Sequence, residues 1–308
     1  MTNEQMQTKT LSIRRLSHAV GASIKGVDFL RPLAQATVEA ILDAWHEHLV
    51  LVFPDARLTL EQHVAFTRHF GRLELHPLES LRHPEFPEVF EVTNRMIEGK
   101  PSETGEVGRI WHSDGAYTVR PPTASLLHCR ALPRAGGTTW FNNMYLAYES
   151  LSAGMQRLVN SLEVVNDLLG DGAPTPFVAK RDAGTSARDK AALPEVVQPM
   201  VRVHPATGRR ALYLNPVVTR RVMDMTVGES RGLLQYLFQH SVKPEFVYCH
   251  YWQVDDLVMW DNRCAMHLAP GDYPPSEVRQ MYRTTLMGEP HGRYLHESPT
   301  RASSHSIS

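Results

Sequence analysis

Residues 246–267, FVYCHYWQVDDLVMWDNRCAMH, hold two apolar, β-prone runs, Phe246–Trp252 and Asp256–Trp260, followed by a polar turn that ends at His267. Runs this short, rich in aromatic and β-branched residues and bounded by polar turn formers, read as strands rather than helices. The same texture extends outward through Val89–Val92, Ala124–Arg130, Thr138–Phe141, Val201–His204, Ala211–Leu214 and Gln280–Leu286. Turn signals interrupt it, among them Pro133 to Gly137 and Pro205 to Gly208. Many short strands with a few helices outside them predict a mainly β fold with flanking helices, a double-sheet jelly roll.

Three helices are expected. Val38, Ile41, Leu42, Trp45 and Leu49 recur at helical spacing and lead straight into the apolar run Leu49–Phe53, which Pro54 ends. Thr59 and Gln62 have capping-box spacing ahead of Val64, Phe66 and Phe70, with Gly71 as the stop. Thr226 and Glu229 repeat that spacing before Leu233, Leu234, Leu237 and Phe238.

The chain has 308 residues, with no internal repeat and no Gly/Ser linker, so one catalytic domain over 10–296 is expected. Residues 1–9 and 297–308 lack periodic apolar positions and read as disordered tails. The stretch 170–195 mixes Gly, Pro and charge and reads as a lid insertion. Lys and Arg number 32 against 33 Asp and Glu, which leaves no electrostatic footprint for nucleic acid or an anionic membrane. No signal-like segment and no run of roughly 18 apolar residues is present, so a soluble cytoplasmic protein is expected. Cys129, Cys249 and Cys264 are too few and too scattered for a disulfide framework.

Sixteen histidines need sorting one by one. Trp111-His112-Ser113-Asp114-Gly115 places an imidazole and a carboxylate one residue apart, which on a strand share a face. By itself an HxD pair is weak, and a hydrogen-bonded structural pair explains it as well. His267 supplies a third donor, and two imidazoles with one carboxylate form the facial triad that leaves positions open on Fe(II). His46, His48, His63, His69 and His240 fall on expected helices and read as surface or structural groups.

Arg279 and Arg283 follow, in EVRQMYRT, and on a strand they share one wall with Met281. Two inward guanidinium groups need anions, such as the carboxylates of a small diacid. A solvated outer face, or salt bridges to Glu277 or Asp272, fits the pattern equally well.

Taken together, WHSDG, the segment Gly136-Gly137-Thr138-Thr139, WDNRCAMH and RQMYR resemble the taurine and 2,4-dichlorophenoxyacetate dioxygenase family of Fe(II)/2-oxoglutarate enzymes. The resemblance runs from Gly21-Ala22-Ser23-Ile24-Lys25-Gly26-Val27-Asp28 to about Gly288. It implies a double-stranded β-helix (jelly-roll, cupin-like) core, with Fe(II) on His112, Asp114 and His267, 2-oxoglutarate as co-substrate and O2 as oxidant. Thr139 and Arg279 match residues that bind the distal carboxylate of 2-oxoglutarate, and Arg283 matches an arginine that meets the prime substrate's anion in several relatives. Arg279 lies one residue farther from the distal histidine than in the taurine enzyme, an offset that a turn insertion near Pro274-Pro275 absorbs.

His76 and Asn94 match positions that touch taurine, and Tyr117 stands where an aromatic lines that pocket. Glu79 departs from the pattern, because the taurine enzyme has tyrosine there, and a carboxylate repels a sulfonate or attracts a cation. The resemblance therefore implies hydroxylation of a C–H bond in a small organic acid (sulfonate, aryloxyalkanoate or related), with release of succinate and CO2. A hydroxylated carbon bearing a heteroatom then collapses. A homo-oligomer is expected. Two rival readings stand beside this one: a Zn or Mn enzyme using the same triad, and a non-catalytic jelly roll that binds a small acid.

Overall fold

The computed structural model describes residues 11–76, 79–97, 100–102, 104–105, 108–168 and 193–296. The two expected tails, and the expected lid from 170 to 192, lie outside these residues. The described chain is mainly β with helices beside the sheets.

The largest sheet has seven strands. Its members are β1 (Ser12–Arg15), β2 (Ala22–Lys25), β3 (Val50–Phe53), β4 (Phe90–Thr93), β7 (Ala124–Ala131), β15 (Leu257–Asp261) and β17 (Gln280–Leu286), in the spatial order β1-β2-β3-β15-β7-β17-β4. Every pairing is antiparallel except β2 with β3. A three-stranded sheet joins β8 (Thr139–Asn142) to β14 (Val247–His250) and β16 (His267–Leu268). Four more strands, β9 (Glu163–Asn166), β10 (Val196–Pro199), β13 (Thr219–Val222) and β18 (Arg293–Tyr294), form a third sheet. Two small hairpins, β5 (Met96–Ile97) with β6 (Lys100–Pro101) and β11 (Val201–Val203) with β12 (Arg210–Leu212), complete the set.

The run LVMW, which reads as unbroken apolar sequence, does so because β15 is covered on both faces. Leu257 and Met259 pack into one cluster with Ile41 and Trp45 of helix α1 (Gln35–His48) and Phe66 of α2 (Leu60–Arg68). Val258 and Trp260 point the other way, into a cluster with Leu127 of β7, Phe141 of β8 and Leu234 and Leu237 of a long helix near the end of the chain. Phe141 and Trp260 meet with ring centroids 5.6 Å apart, so the apolar core joins the large sheet to the three-stranded one.

Helix starts follow local chemistry. Thr59 accepts from the Gln62 N–H at 3.2 Å while the Gln62 side chain accepts from the Thr59 N–H at 2.9 Å, so the expected capping box is formed. Thr226 and Glu229 form the second one, opening the long helix Val227–Ser241. Between these lie α3 (Met144–Glu149) and α4 (Ala153–Asn160), so that Val227–Ser241 is α5 among the described residues. Asn143 starts α3 by accepting from the Tyr145 and Leu146 N–H groups at 3.0 and 3.1 Å. No described helix is long and apolar enough to cross a membrane.

Candidate active site

His112 and His267 are cross-strand partners. The His112 N–H donates to the His267 carbonyl at 3.0 Å and the His267 N–H donates back at 2.7 Å, forming an isolated antiparallel bridge. Directly opposed side chains on such a pair stand together, and the two rings have centroids 4.1 Å apart. β16, which begins at His267, is itself paired to β8 through Phe141. Only His112 of the WHSDG segment is strand-like, and Asp114 sits in the turn that follows. That turn brings Asp114 Oδ1 to 3.8 Å from His112 Nε2. One ligand atom from each of His112, Asp114 and His267 lies within 4.8 Å of the others.

The protonation states suit a divalent cation. Burial pushes both imidazoles down, and for His267 the His112 ring adds to that push, so both rings are neutral with lone pairs to donate. Burial raises the Asp114 carboxyl, but Arg283, the two histidines and the Ser125 hydroxyl together hold it well below the usual carboxylate range. His112 Nδ1 lies 2.8 Å from the Ile110 carbonyl, which places the proton on Nδ1 and leaves Nε2 facing Asp114. Trp260 and Phe141 wall the His267 ring, with centroids at 4.6 and 6.2 Å.

Asp114 is held from several sides. Ser125 Oγ donates to its Oδ2 at 2.6 Å, Arg283 Nη1 donates to its Oδ1 at 3.0 Å, and its N–H donates to Asn262 Oδ1 at 3.3 Å. Sequence reasoning passed over Ser125 and Asn262, although a polar residue inside an apolar strand such as ASLLHCRA is itself a signal.

Arg279 lies just before β17, and the register shift between Gln280 and Met281 puts its extra residue on β7, so the alternation along β17 up to Arg283 is unbroken. The two guanidinium groups, four residues apart, nevertheless take different partners. Arg279 is 5% exposed, donates through Nε to the Gly137 carbonyl at 3.1 Å and through Nη2 to Thr139 Oγ1 at 3.2 Å, and forms no ion pair among the described residues. Neither Glu277 nor Asp272 pairs with it: Glu277 accepts from the Arg134 N–H and Asp272 from the Gly137 N–H. Thr139 Oγ1 also accepts from Trp252 Nε1 at 2.9 Å, so its own proton is left to donate. Gly136, at φ +79°, permits this turn, because a Cβ there would stand 2.2 Å from the Asp272 carbonyl oxygen. A small cavity opens beside Arg279, lined by Asn94, Thr138, Arg109, Gly271 and Tyr273.

The residues expected to touch substrate divide into groups. Arg283 lies over the Phe90 ring at 4.7 Å, and His76 stacks on the same ring at 4.8 Å. Asn94 accepts from the Arg279 N–H at 2.8 Å and donates to the Glu277 carbonyl at 2.8 Å, so its amide braces the arginine segment. Tyr117 packs with Ala116, Tyr213 and Val218. Glu79 is exposed in a short 3-10 turn, Glu79–Leu81. Glu74, which sequence reasoning did not single out, is partly buried beside Arg283 and Asp114, and burial lifts its carboxyl to about 7.

The family model for "Taurine catabolism dioxygenase TauD, TfdA family" matches residues 12–285. The chain is 31% identical over 278 residues to the alpha-ketoglutarate-dependent 2,4-dichlorophenoxyacetate dioxygenase of Cupriavidus pinatubonensis, covering 87% of this chain and 94% of that one. It is 30% identical over 287 residues to an alpha-ketoglutarate-dependent sulfate ester dioxygenase of Pseudomonas putida, covering 91% and 90%. Among solved structures, a putative alpha-ketoglutarate-dependent taurine dioxygenase from Burkholderia xenovorans superposes with a TM-score of 0.78 at 31% identity, over 94% of this chain and 100% of that one.

Proposed function

The chain belongs to the taurine catabolism dioxygenase TauD, TfdA family, and from that premise we propose that it hydroxylates a C–H bond of a small organic acid using iron held by His112, Asp114 and His267. It is an alpha-ketoglutarate-dependent dioxygenase, working with Fe(II), 2-oxoglutarate (alpha-ketoglutarate) and O2. The large and three-stranded sheets are the two faces of a double-stranded β-helix in this reading, and 10–296 is one catalytic domain. The substrate class is that of the named relatives and their kin: aryloxyalkanoates, sulfate esters, sulfonates or related acids.

The observation that carries the assignment is the approach of three donor atoms to within 4.8 Å of one another. Two neutral imidazoles and an ionised carboxylate are the right donor set for Fe(II) and leave room for further ligands. Held by His112, Asp114 and His267, Fe(II) would supply the O2 chemistry that couples decarboxylation of 2-oxoglutarate, to succinate and CO2, with hydroxylation of the substrate C–H bond.

The chain's own residues orient the reactants. The Ile110 carbonyl fixes the His112 tautomer, while Ser125 and Arg283 aim the Asp114 carboxylate. Arg279 and the free hydroxyl proton of Thr139 bind the distal carboxylate of 2-oxoglutarate, which supplies the counter-charge a buried guanidinium needs. Asn94 lines that pocket and keeps Arg279 in place. Arg283, with its buried Nε unpartnered, meets the substrate's anionic group, and His76 and Tyr117 line the approach. Trp260 and Phe141 keep water from the His267 side.

The test is an anaerobic titration with Fe(II) and 2-oxoglutarate, followed by a succinate-release screen over aryloxyalkanoates, sulfate esters and sulfonates. A weak visible charge-transfer band, and succinate released with at least one acid, are expected. No band under saturating Fe(II) and 2-oxoglutarate overturns the site assignment.

A further inference from the structure

Three described arginines are almost excluded from solvent: Arg202 is 6% exposed, Arg263 8% and Arg279 5%. Burying a cation is costly unless a counter-charge or a full set of hydrogen bonds offsets the loss of water. Arg263 meets that need in Asp261, through Nη2 at 2.6 Å and Nε at 2.8 Å. Arg279 meets it in Gly137, Thr139 and the co-substrate carboxylate assigned above. Arg202 has no such answer: it forms no ion pair among the described residues, and its Nη1 is buried without a hydrogen-bond partner.

Two more unsatisfied groups stand with it. The guanidinium lies over the Tyr213 ring at 5.1 Å, and the Tyr213 hydroxyl is buried without a partner in hydrogen-bonding geometry. The His291 ring packs edge-on against Tyr213, with centroids 6.1 Å apart, and its Nε2 is likewise buried and unpartnered. Burial and the Arg202 charge push His291 down to about 4, so this imidazole is neutral. Asp261, the acid that acts on Tyr213, is already held by Arg263 and His204.

We propose that Arg202, Tyr213 and His291 form a second, buried anion site that takes a small monovalent anion, either a halide or a carboxylate. Tyr213 offers the guanidinium its ring face and the dipole of its hydroxyl, neither of which is a counter-charge. A water molecule accepts two hydrogen bonds and leaves the charge uncompensated, whereas an anion accepts from Arg202, the Tyr213 hydroxyl and His291 Nε2–H and neutralises it. The three donors come from separate parts of the chain: Arg202 from β11, Tyr213 from the end of β12, and His291 from a segment whose N–H bonds the Val119 carbonyl at 2.9 Å. Tyr213 also packs on Ala116, two residues beyond Asp114. An anion here therefore ties the β11–β12 hairpin and the His291 segment to the base of the loop that carries Asp114.

The experiment uses the full chain. Crystals soaked in sodium bromide should show anomalous density, or those soaked in acetate carboxylate-shaped density, within hydrogen-bond distance of Arg202 Nη1. In solution, bromide or acetate should raise the Tm above that in equal ionic strength of a bulky sulfonate buffer anion. Stabilisation by bromide alone assigns a halide, and stabilisation by acetate assigns a carboxylate. Tyr213→Phe keeps the ring and removes one donor to a charged ligand, so its half-saturating anion concentration should rise by about tenfold or more. Water-like density after soaks in bromide and in acetate alike, or identical anion titrations of wild type and Tyr213→Phe, overturns the site. Neither result bears on the Fe(II)/2-oxoglutarate band, so failure here is distinguishable from failure of the proposed reaction.

Discussion

Ser125 Oγ donates to Asp114 Oδ2 at 2.6 Å, and the same oxygen accepts from Asn262 Nδ2 at 3.1 Å. Asn262 in turn accepts from the Asp114 N–H at 3.3 Å and the Trp260 Nε1–H at 3.0 Å. One amide thus grips the proposed carboxylate ligand at its backbone and, through Ser125, at its side chain. Such outer partners typically set metal affinity by 10–100-fold or so. Ser125→Ala should therefore weaken Mn(II) binding, followed by electron paramagnetic resonance, by about that factor while the fold persists. Equal affinities for the two proteins would show that Asp114 needs no such support.

His112 differs from Ser125 in offering a lone pair rather than aiming one. His112→Ala leaves two donors from the three, and neutral His267 with ionised Asp114 form an incomplete set. We expect loss of the Fe(II)/2-oxoglutarate band and of succinate release with every acid that wild type accepts. Full turnover in that variant is incompatible with His112 as an iron ligand.

The fold was legible where packing leaves a plain trace in composition. β7 and β15 are buried on both faces, so their residues read as apolar runs, and the capping boxes at Thr59 and Thr226 marked two helix starts. Helix α3 escaped notice because six residues, mostly buried and held by the Asn143 cap, show no periodicity. β9, β10 and β13, four residues each, also escaped. In the site, the types of the three donors were visible, but the reason they converge, the backbone bridge between His112 and His267, is a pairing no local pattern reveals. The strand reading of Arg279 and Arg283 placed both on one wall. Their separation along the chain, not a change of face, lets one reach Thr139 and the other Asp114.

That divergence makes the arginines separable. Arg279 has no acid partner among the described residues, and in the proposed site the 2-oxoglutarate carboxylate is the charge that completes it. Hydrogen bonds to a charged group contribute roughly 1.5–3 kcal/mol, about 10- to 150-fold in affinity. Arg279→Met should weaken 2-oxoglutarate binding in the anaerobic band titration by about that range and leave Mn(II) affinity unchanged. Arg283→Met should do the reverse, disturbing Asp114 and the metal more than the co-substrate. Matching losses in both variants would mean that the two side chains do not have distinct anions.

Glu74 supplies a pH-dependent contribution of definite sign. Its N–H donates to the Thr285 carbonyl at 2.8 Å, which sets it along β17 near Arg283, and its Oε2 is buried without a partner. Burial raises the carboxyl from 4.5 to about 7, Arg283 pulls it down, and Asp114 pushes it up. An acid whose folded pKa lies above its unfolded value binds its proton more tightly when folded. Its contribution to stability is therefore complete below the unfolded value and is lost as pH rises through the folded one. In metal-free protein, wild type and Glu74→Gln should have similar urea midpoints at about pH 5, where the folded-state carboxyl is protonated. At about pH 8 the wild-type carboxylate is charged, half-buried and beside Asp114, so the glutamine variant should have the higher midpoint. Midpoints separated by the same amount at both pH values would mean that Glu74 does not titrate in this window.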